Sequence, residues 1–252
     1  MKIIPLEILK TDNYSYIIIC NNTQEAAIVD PADPEAIFPH LEKLEKNEKI
    51  HLSSIITTHH HYDHAGGNKK MLKKYKDIKV YGGSNAEGVN YFLKDGEIFK
   101  IGEIIVKSLH TPCHTRDSIC YFVEDKEERA VFTGDTLFNG GCGKFFEGNA
   151  EEMHRNLNKI LSSLPGDTKI YPGHEYTKSN IRFAKSIFNS DKLSKVSEFV
   201  DNNKITCGKF TIDDEKTYNP FMMVDSIEIQ KATGESDSIK VMAKLRELKN
   251  RF

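Results

Sequence analysis

Four strand-like runs in this chain each end in a short segment of metal-ligand side chains, and that repetition limits the folds it can adopt. Ser53–Thr58 leads into His59, His61, Asp63 and His64, and Ile104–Leu109 leads into Thr111-Pro112-Cys113-His114. Ala130–Thr133 leads into Gly134-Asp135-Thr136, and Lys169–Tyr171 into Pro172-Gly173-His174. Loops at strand ends can converge at one edge of a sheet, where a rigid scaffold aims functional side chains.

The first segment, TTHHHYDHAGG at 57–67, is the densest. In an extended chain residues i and i+2 point the same way, so His59 and His61 can chelate one ion. Asp63 and His64 come where the chain turns toward a helix and diverge from that pair, which suits a second ion. Gly66-Gly67 permits a tight backbone passage. The candidates total five histidines and two aspartates. That is too many for one tetrahedral ion with an open position and suits two ions sharing a carboxylate. Asp135, the lone carboxylate on its loop, is the bridging candidate. The tract alone could be an adventitious metal binder or a set of hydrogen-bonded core histidines. The three further segments, each after its own strand, weigh against that. His40, His51 and His154 are isolated and expected to satisfy local hydrogen bonds. His60 and His110 neighbour the site and suit at most an indirect role.

The rest of the chain points to a mixed α/β protein of 252 residues. Further strand candidates are Tyr16–Cys20, Ala26–Val29, Lys79–Tyr81 and Ser118–Val123, with the charged stretch Glu124–Arg129 as a hairpin loop. Pro34–Lys46, Lys69–Tyr75 and Glu151–Leu164 read as helices, the last with Asn149 as N-cap and Pro165-Gly166 as its stop. After His174 helical patterns dominate, at Lys178–Phe188, Leu193–Asn202 and Ile239–Lys249, with only a weak β run at Lys209–Ile212. The expected division is therefore 1–174 and 175–252. A net charge of −2 advertises no nucleic-acid or membrane surface, and no apolar run is long enough to span a bilayer. The N-terminus reads as neither a secretory nor a transit signal, so the expected location is cytoplasmic and the expected state a monomer. Five cysteines without a CxxC pair are expected to be reduced and structural.

With these residues in view, the chain resembles glyoxalase II, a hydroxyacylglutathione hydrolase of the metallo-β-lactamase superfamily. The resemblance runs through TDNYSY, AIVDP, THHHYDHAGGN, TPCHT, FTGDTLF, GCGKFFEG, YPGHEYT, YNPFM and LRELKNRF, nearly the whole chain. It implies an αββα sandwich with a dinuclear site at one edge and a helical C-terminal domain that helps bind glutathione. One ion would take His59, His61 and His114, the other Asp63, His64 and His174, with Asp135 and a water or hydroxide between them. The ions would be divalent, zinc foremost, with iron or manganese tolerated by the same N/O donors. Glutathione contacts would map onto Lys144, Tyr176, Arg246 and Lys249. Phe146 stands where the family commonly has a tyrosine, which removes one hydroxyl from that pocket. The basic C-terminus adds to this: five Lys or Arg residues against one acidic residue from Lys240 onward. Ile239, Met242, Leu245 and Leu248 recur every three residues, so that face is expected to pack inward with Arg246 and Lys249 beside it.

The implied reaction is hydrolysis of S-D-lactoylglutathione to glutathione and D-lactate, the second step of methylglyoxal detoxification. Asp63 and Asp135 would orient the attacking hydroxide. A thiol leaving group, with a pKa of about 8.5, departs without a strong general acid. There is no GxSxG motif for a covalent route. The competing expectations are a mononuclear iron persulfide dioxygenase, a dinuclear phosphodiesterase or nuclease, and an inactive metal-binding protein.

Overall fold

A computed structural model describes residues 1–126 and 128–252, in two compact units. The first comprises Met1–His110 and Asp117–Gly134; the second comprises Thr111–Arg116 and Asp135–Phe252.

The first unit holds two sheets. β1 (Lys2–Ile8), β2 (Asn13–Ile19), β3 (Glu25–Val29), β4 (His51–Ile56), β5 (Lys79–Gly82) and β6 (Tyr91–Phe92) lie in sequence order. The first three pair antiparallel and the remainder parallel. Parallel neighbours need crossovers. α1 (Pro34–Asn47) supplies one; α2 (Tyr62–Ala65) and α3 (Asn68–Lys74) supply the next. β2 is buried at every position, and its polar Asn13 and Ser15 are satisfied there: Asn13 donates to Asp63 and Ser15 Oγ to the Val29 carbonyl at 2.7 Å. On one face of the sheet Ile37 and Leu41 of α1 and Met71 of α3 pack with Ile17, Ile19, Ile28, Ile55 and Val80. β7 (Ile98–Ile101), β8 (Ile104–His110), β9 (Ile119–Asp125) and β10 (Glu128–Gly134) form antiparallel pairs in the order β10-β9-β8-β7. The two sheets meet through Tyr16 on Phe132, with ring centroids 5.3 Å apart, and Tyr81 stacked on Phe99 at 4.0 Å. Tyr121 donates its buried hydroxyl to the Thr57 carbonyl at 2.7 Å, pinning the end of β4 to the second sheet.

In the second unit β11 (Leu137–Phe138) and β12 (Gly141–Cys142) make a short hairpin, and β13 (Lys169–Pro172) falls between the first helix and the others. The helices are α4 (Ala150–Arg155), α5 (Thr177–Ile187), α6 (Asp191–Asn202), α7 (Ile212–Tyr218), α8 (Ile227–Thr233) and α9 (Ser238–Arg251).

Several sequence expectations need correction. The helix expected over Glu151–Leu164 starts as foreseen, with Asn149 and Glu152 forming a capping box. It then widens into a π turn at Asn156–Ile160 and tightens into a 3₁₀ turn at Leu161–Ser163. The wider turn brings the polar Asn156 inside beside Leu157, where its amide donates to the Pro112 carbonyl at 3.1 Å. The weak β run at Lys209–Ile212 is reduced to a bridge between Lys169 and Thr211, because Thr211 caps α7 instead. β1 escaped notice because Pro5 interrupts it; as an edge strand it tolerates the missing donor. Of the hairpin loop expected at Glu124–Arg129, β9 and β10 take all but Lys126 and Glu127, and Glu127 lies outside the described residues. All five cysteines are buried and free of disulfides, as expected.

Candidate metal centre and its pocket

The loop after β4 folds so that its ligand-type side chains crowd together inside the first unit. His61 is the N-cap of α2, and Asp63 and His64 lie in that one-turn helix. His59 Nε2 stands 3.1 Å from His61 Nδ1, and the His59 and His64 rings are 4.2 Å apart. His64 Nε2 is 3.7 Å from Asp63 Oδ2. A Cβ at Gly67 would overlap the Pro31 carbonyl, so only glycine lets the loop pass here.

In the second unit Asp135 occupies the middle of its own set. Its Oδ2 lies 3.4 Å from His114 Nε2 and 3.3 Å from His174 Nε2. Tyr176 stacks flat on His174 with centroids 4.6 Å apart, and Phe138 meets the His174 ring edge-on at 6.0 Å. Gly143 packs against Asp135, where a Cβ would strike the Asp135 carbonyl oxygen.

His59, His64 and His114 each have Nδ1 held by a group outside the candidate ligand set, which suits them to a metal. His64 Nδ1 meets Asp30 Oδ2 at 2.9 Å, His114 Nδ1 meets the Lys144 carbonyl at 2.9 Å, and His59 Nδ1 meets Thr58 Oγ1 at 3.0 Å. Such partners set the tautomer and aim Nε2 at an ion, as in metal sites generally. Nitrogen and carboxylate donors without thiolate match a divalent ion. The residues fit the group.

Sequence reasoning missed the outer partners. Asp30 accepts from Thr58 N at 2.7 Å and from Thr58 Oγ1 at 2.6 Å besides meeting His64, and it does so from a left-handed backbone, φ 47°. Asn13 donates to Asp63 Oδ2 at 3.0 Å. The AIVDP block carrying Asp30 was the available signal. His60 pairs with Asp117 at 2.7 Å, and His110 Nε2 lies 3.0 Å from the Leu93 carbonyl. Of His40, His51 and His154, none belongs to a metal-holding group among the described residues.

A cavity of about 400 Å³ opens within the second unit, and His114 and Asp135 are part of its wall. Lys144, Phe146, Tyr176, Arg246 and Lys249, all singled out from sequence, line it, with Asn180 and Cys142. Arg246 is buried and donates to the Cys142 carbonyl at 3.0 Å and to Asn250 Oδ1 at 2.9 Å. Lys249 donates to Asn180 Oδ1, its ammonium 5.7 Å from the Phe183 ring centroid. Burial, helped by the neighbouring Arg246 charge, lowers the Lys249 ammonium to about 7, although the Cys142 thiol opposes this. Phe146 is 61% exposed, with its ring 5.1 Å from that of His114, so a tyrosine hydroxyl there would have room. Of the row expected to face inward on α9, Met242 and Leu245 are buried and Leu248 half-buried, while Ile239 is exposed; Val241 and Arg246 join the buried face.

Comparison with known proteins adds independent information. Residues 10–174 match the metallo-beta-lactamase superfamily, and residues 175–252 match the family described as hydroxyacylglutathione hydrolase C-terminus. The chain is 55% identical to the Schizosaccharomyces pombe protein named "Probable hydroxyacylglutathione hydrolase glo2", over 95% of this chain and 93% of that one. It is 39% identical to the Saccharomyces cerevisiae "Hydroxyacylglutathione hydrolase, cytoplasmic isozyme", over 95% of this chain and 94% of that one. Among solved structures, ETHE1 from Myxococcus xanthus superposes with a TM-score of 0.71 at 25% identity, covering 98% of this chain and 90% of that one.

Proposed function

We propose a function from this premise: the chain belongs to the hydroxyacylglutathione hydrolases of the metallo-β-lactamase superfamily. The reaction is hydrolysis of the S-D-lactoylglutathione thioester to glutathione and D-lactate. The observation that carries this reading is one cavity whose wall holds both His114 and Asp135 and the cations Lys144, Arg246 and Lys249. A glutathione thioester has the matching chemistry, a reactive carbonyl attached to a peptide bearing carboxylates.

Two divalent ions complete the site. One would be held by His59, His61 and His114, the other by Asp63, His64 and His174, with Asp135 available to both. When bound, the ions supply a water acidic enough to ionise near neutrality and polarise the thioester carbonyl. The protein's own groups do the rest. Asp63 and Asp135 accept hydrogen bonds from the attacking water and orient it. Arg246, Lys249 and Lys144 hold the peptide carboxylates, while Tyr176 and Phe146 flank the chain leading to sulfur. The thiolate leaves unprotonated. Zinc suits this donor set, and iron or manganese can occupy it. Residues 1–174 carry the catalytic segment and 175–252 the glutathione-binding one, in a cytoplasmic monomer; a relative named as a cytoplasmic isozyme supports the location. No helix among the described residues is long and apolar enough to cross a membrane.

The test is direct. Purified protein mixed with S-D-lactoylglutathione is expected to consume the thioester absorbance, to stop after chelation, and to resume when zinc is restored. Hydrolysis that persists in the chelated protein would refute the metal-dependent route.

The depressed Lys249 gives a pH prediction. An anion needs the ammonium, which is present below about 7 and lost as pH rises through that value. KM is therefore expected to climb between pH 7 and 9, by at most about tenfold per pH unit. Lys249→Arg, which stays charged throughout, is expected to flatten that rise. An unchanged slope in the arginine variant would exclude Lys249 as its source.

A further inference from the structure

The β11–β12 hairpin turns at Asn139-Gly140, with Gly140 at φ 70°. Asn-Gly turns are common and usually exposed, so that water satisfies their backbone. Here Asn139 is fully buried, and its neighbours Phe138, Gly141 and Cys142 are buried too. Buried backbone groups must find partners in the protein, and the helices of the second unit provide them. Asn219, just after α7, donates from Nδ2 to the Phe138 carbonyl at 3.4 Å and to the Gly141 carbonyl at 3.2 Å. Asn180 of α5 donates to the Asn139 carbonyl at 3.0 Å. Glu215 of α7 accepts from Gly140 N at 2.8 Å, and Arg246 takes the Cys142 carbonyl.

Glu215 and Asn219 form the hub of this arrangement. Glu215 Oε2 accepts from Asn219 Nδ2 at 2.8 Å as well as from Gly140, and its other oxygen accepts from the Tyr218 hydroxyl. Both residues are fully buried, and neither lines the cavity. Burial pushes the Glu215 carboxyl up to about 7, against these donors, which pull it down. A group so costly to bury must be matched by its hydrogen bonds.

What the hub holds is the start of the pocket wall. Phe138, Cys142, Gly143 and Lys144 line the cavity, and the Lys144 carbonyl accepts from His114 Nδ1. We propose that Glu215 and Asn219 are positioning residues: they hold the 137–142 hairpin so that the wall is in place for substrate and the Lys144 carbonyl orients His114. For its substrate arm this rests on the glutathione-thioester reading above; its metal arm does not.

The test compares Glu215→Ala with Glu215→Gln in the full-length holoenzyme. The glutamine keeps one oxygen for Gly140 and Asn219 and can donate its amide to the Tyr218 oxygen, so it is expected to behave close to wild type. Glu215→Ala is expected to raise KM for S-D-lactoylglutathione about tenfold. It is also expected to weaken zinc retention against a competing chelator about tenfold, the size of effect seen when partners of ligating histidines are lost. Asn219→Ser, which withdraws the donor from both carbonyls, is expected to shift both measurements the same way and serves if Glu215→Ala does not fold. A folded Glu215→Ala or Asn219→Ser variant with wild-type KM and zinc retention would overturn the proposal, as would equal losses in the Gln and Ala variants. If the wild type fails to hydrolyse the thioester, the functional reading falls; the chelator competition needs no substrate and still tests the positioning role.

Discussion

Asp135→Asn is expected to lower kcat by about a hundredfold or more and to leave the protein with fewer than two metal equivalents. Even the indirect partners of metal ligands are worth 10–100-fold, and Asp135 is proposed to touch both ions. Its Oδ2 sits between His114 Nε2 and His174 Nε2, at 3.4 and 3.3 Å, which are assigned to different ions. Asparagine keeps the shape but removes the charge and turns one oxygen into a donor, which cannot bridge two cations. The fold is expected to survive, because Gly143 packs against the Asp135 main chain rather than its carboxylate. KM is expected to move little, since Lys144, Arg246 and Lys249 are untouched. Metal analysis with steady-state kinetics checks this; full rate with full metal loading would exclude the bridge.

The second large effect belongs to the cations. Arg246→Met combined with Lys249→Met is expected to raise KM about a hundredfold or more while kcat stays within a few-fold. Hydrogen bonds to charged groups contribute about 1.5–3 kcal/mol each, and two lost together correspond to that change. Such contacts act on ground state and transition state alike, so they appear in KM. Arg246 also satisfies the buried Cys142 carbonyl, and leaving it unpaired costs about 1–3 kcal/mol of stability. The double variant is therefore expected to melt earlier, and kinetics belong well below its midpoint. A collapse of kcat with KM unchanged would contradict a recognition role.

How much of this was legible in the chain depends on how local each signal is. HHHYDH declares itself because its chelating geometry arises within six residues, and each of the other candidate ligands follows its own strand. The capping box at Asn149 is equally local. The groups that orient the ligands are not: His114 is oriented by a main-chain carbonyl, which any residue at 144 would offer. Asp30 lies 34 positions from His64, and Asp117 lies 57 from His60, so no local spacing announces either pair, and only the AIVDP block singles out Asp30. The face of α9 was legible only in part, for a related reason. A period-three apolar row ignores that Arg246 can be buried when its guanidinium finds a carbonyl. The π turn at Asn156 likewise goes with a tertiary hydrogen bond, to a carbonyl 44 positions away. Pro5 hid β1 because an interrupted apolar run is acceptable only at a sheet edge, and edge position is a property of the folded chain.

The most direct measurement is a metal count on the purified protein, zinc-loaded and then freed of excess ion. Two equivalents per chain are predicted, falling to no more than one when His174 is replaced by alanine. A fully active protein that saturates at a single equivalent, or that keeps both ions without His174, would contradict the paired-ion centre on which the proposed hydrolysis depends.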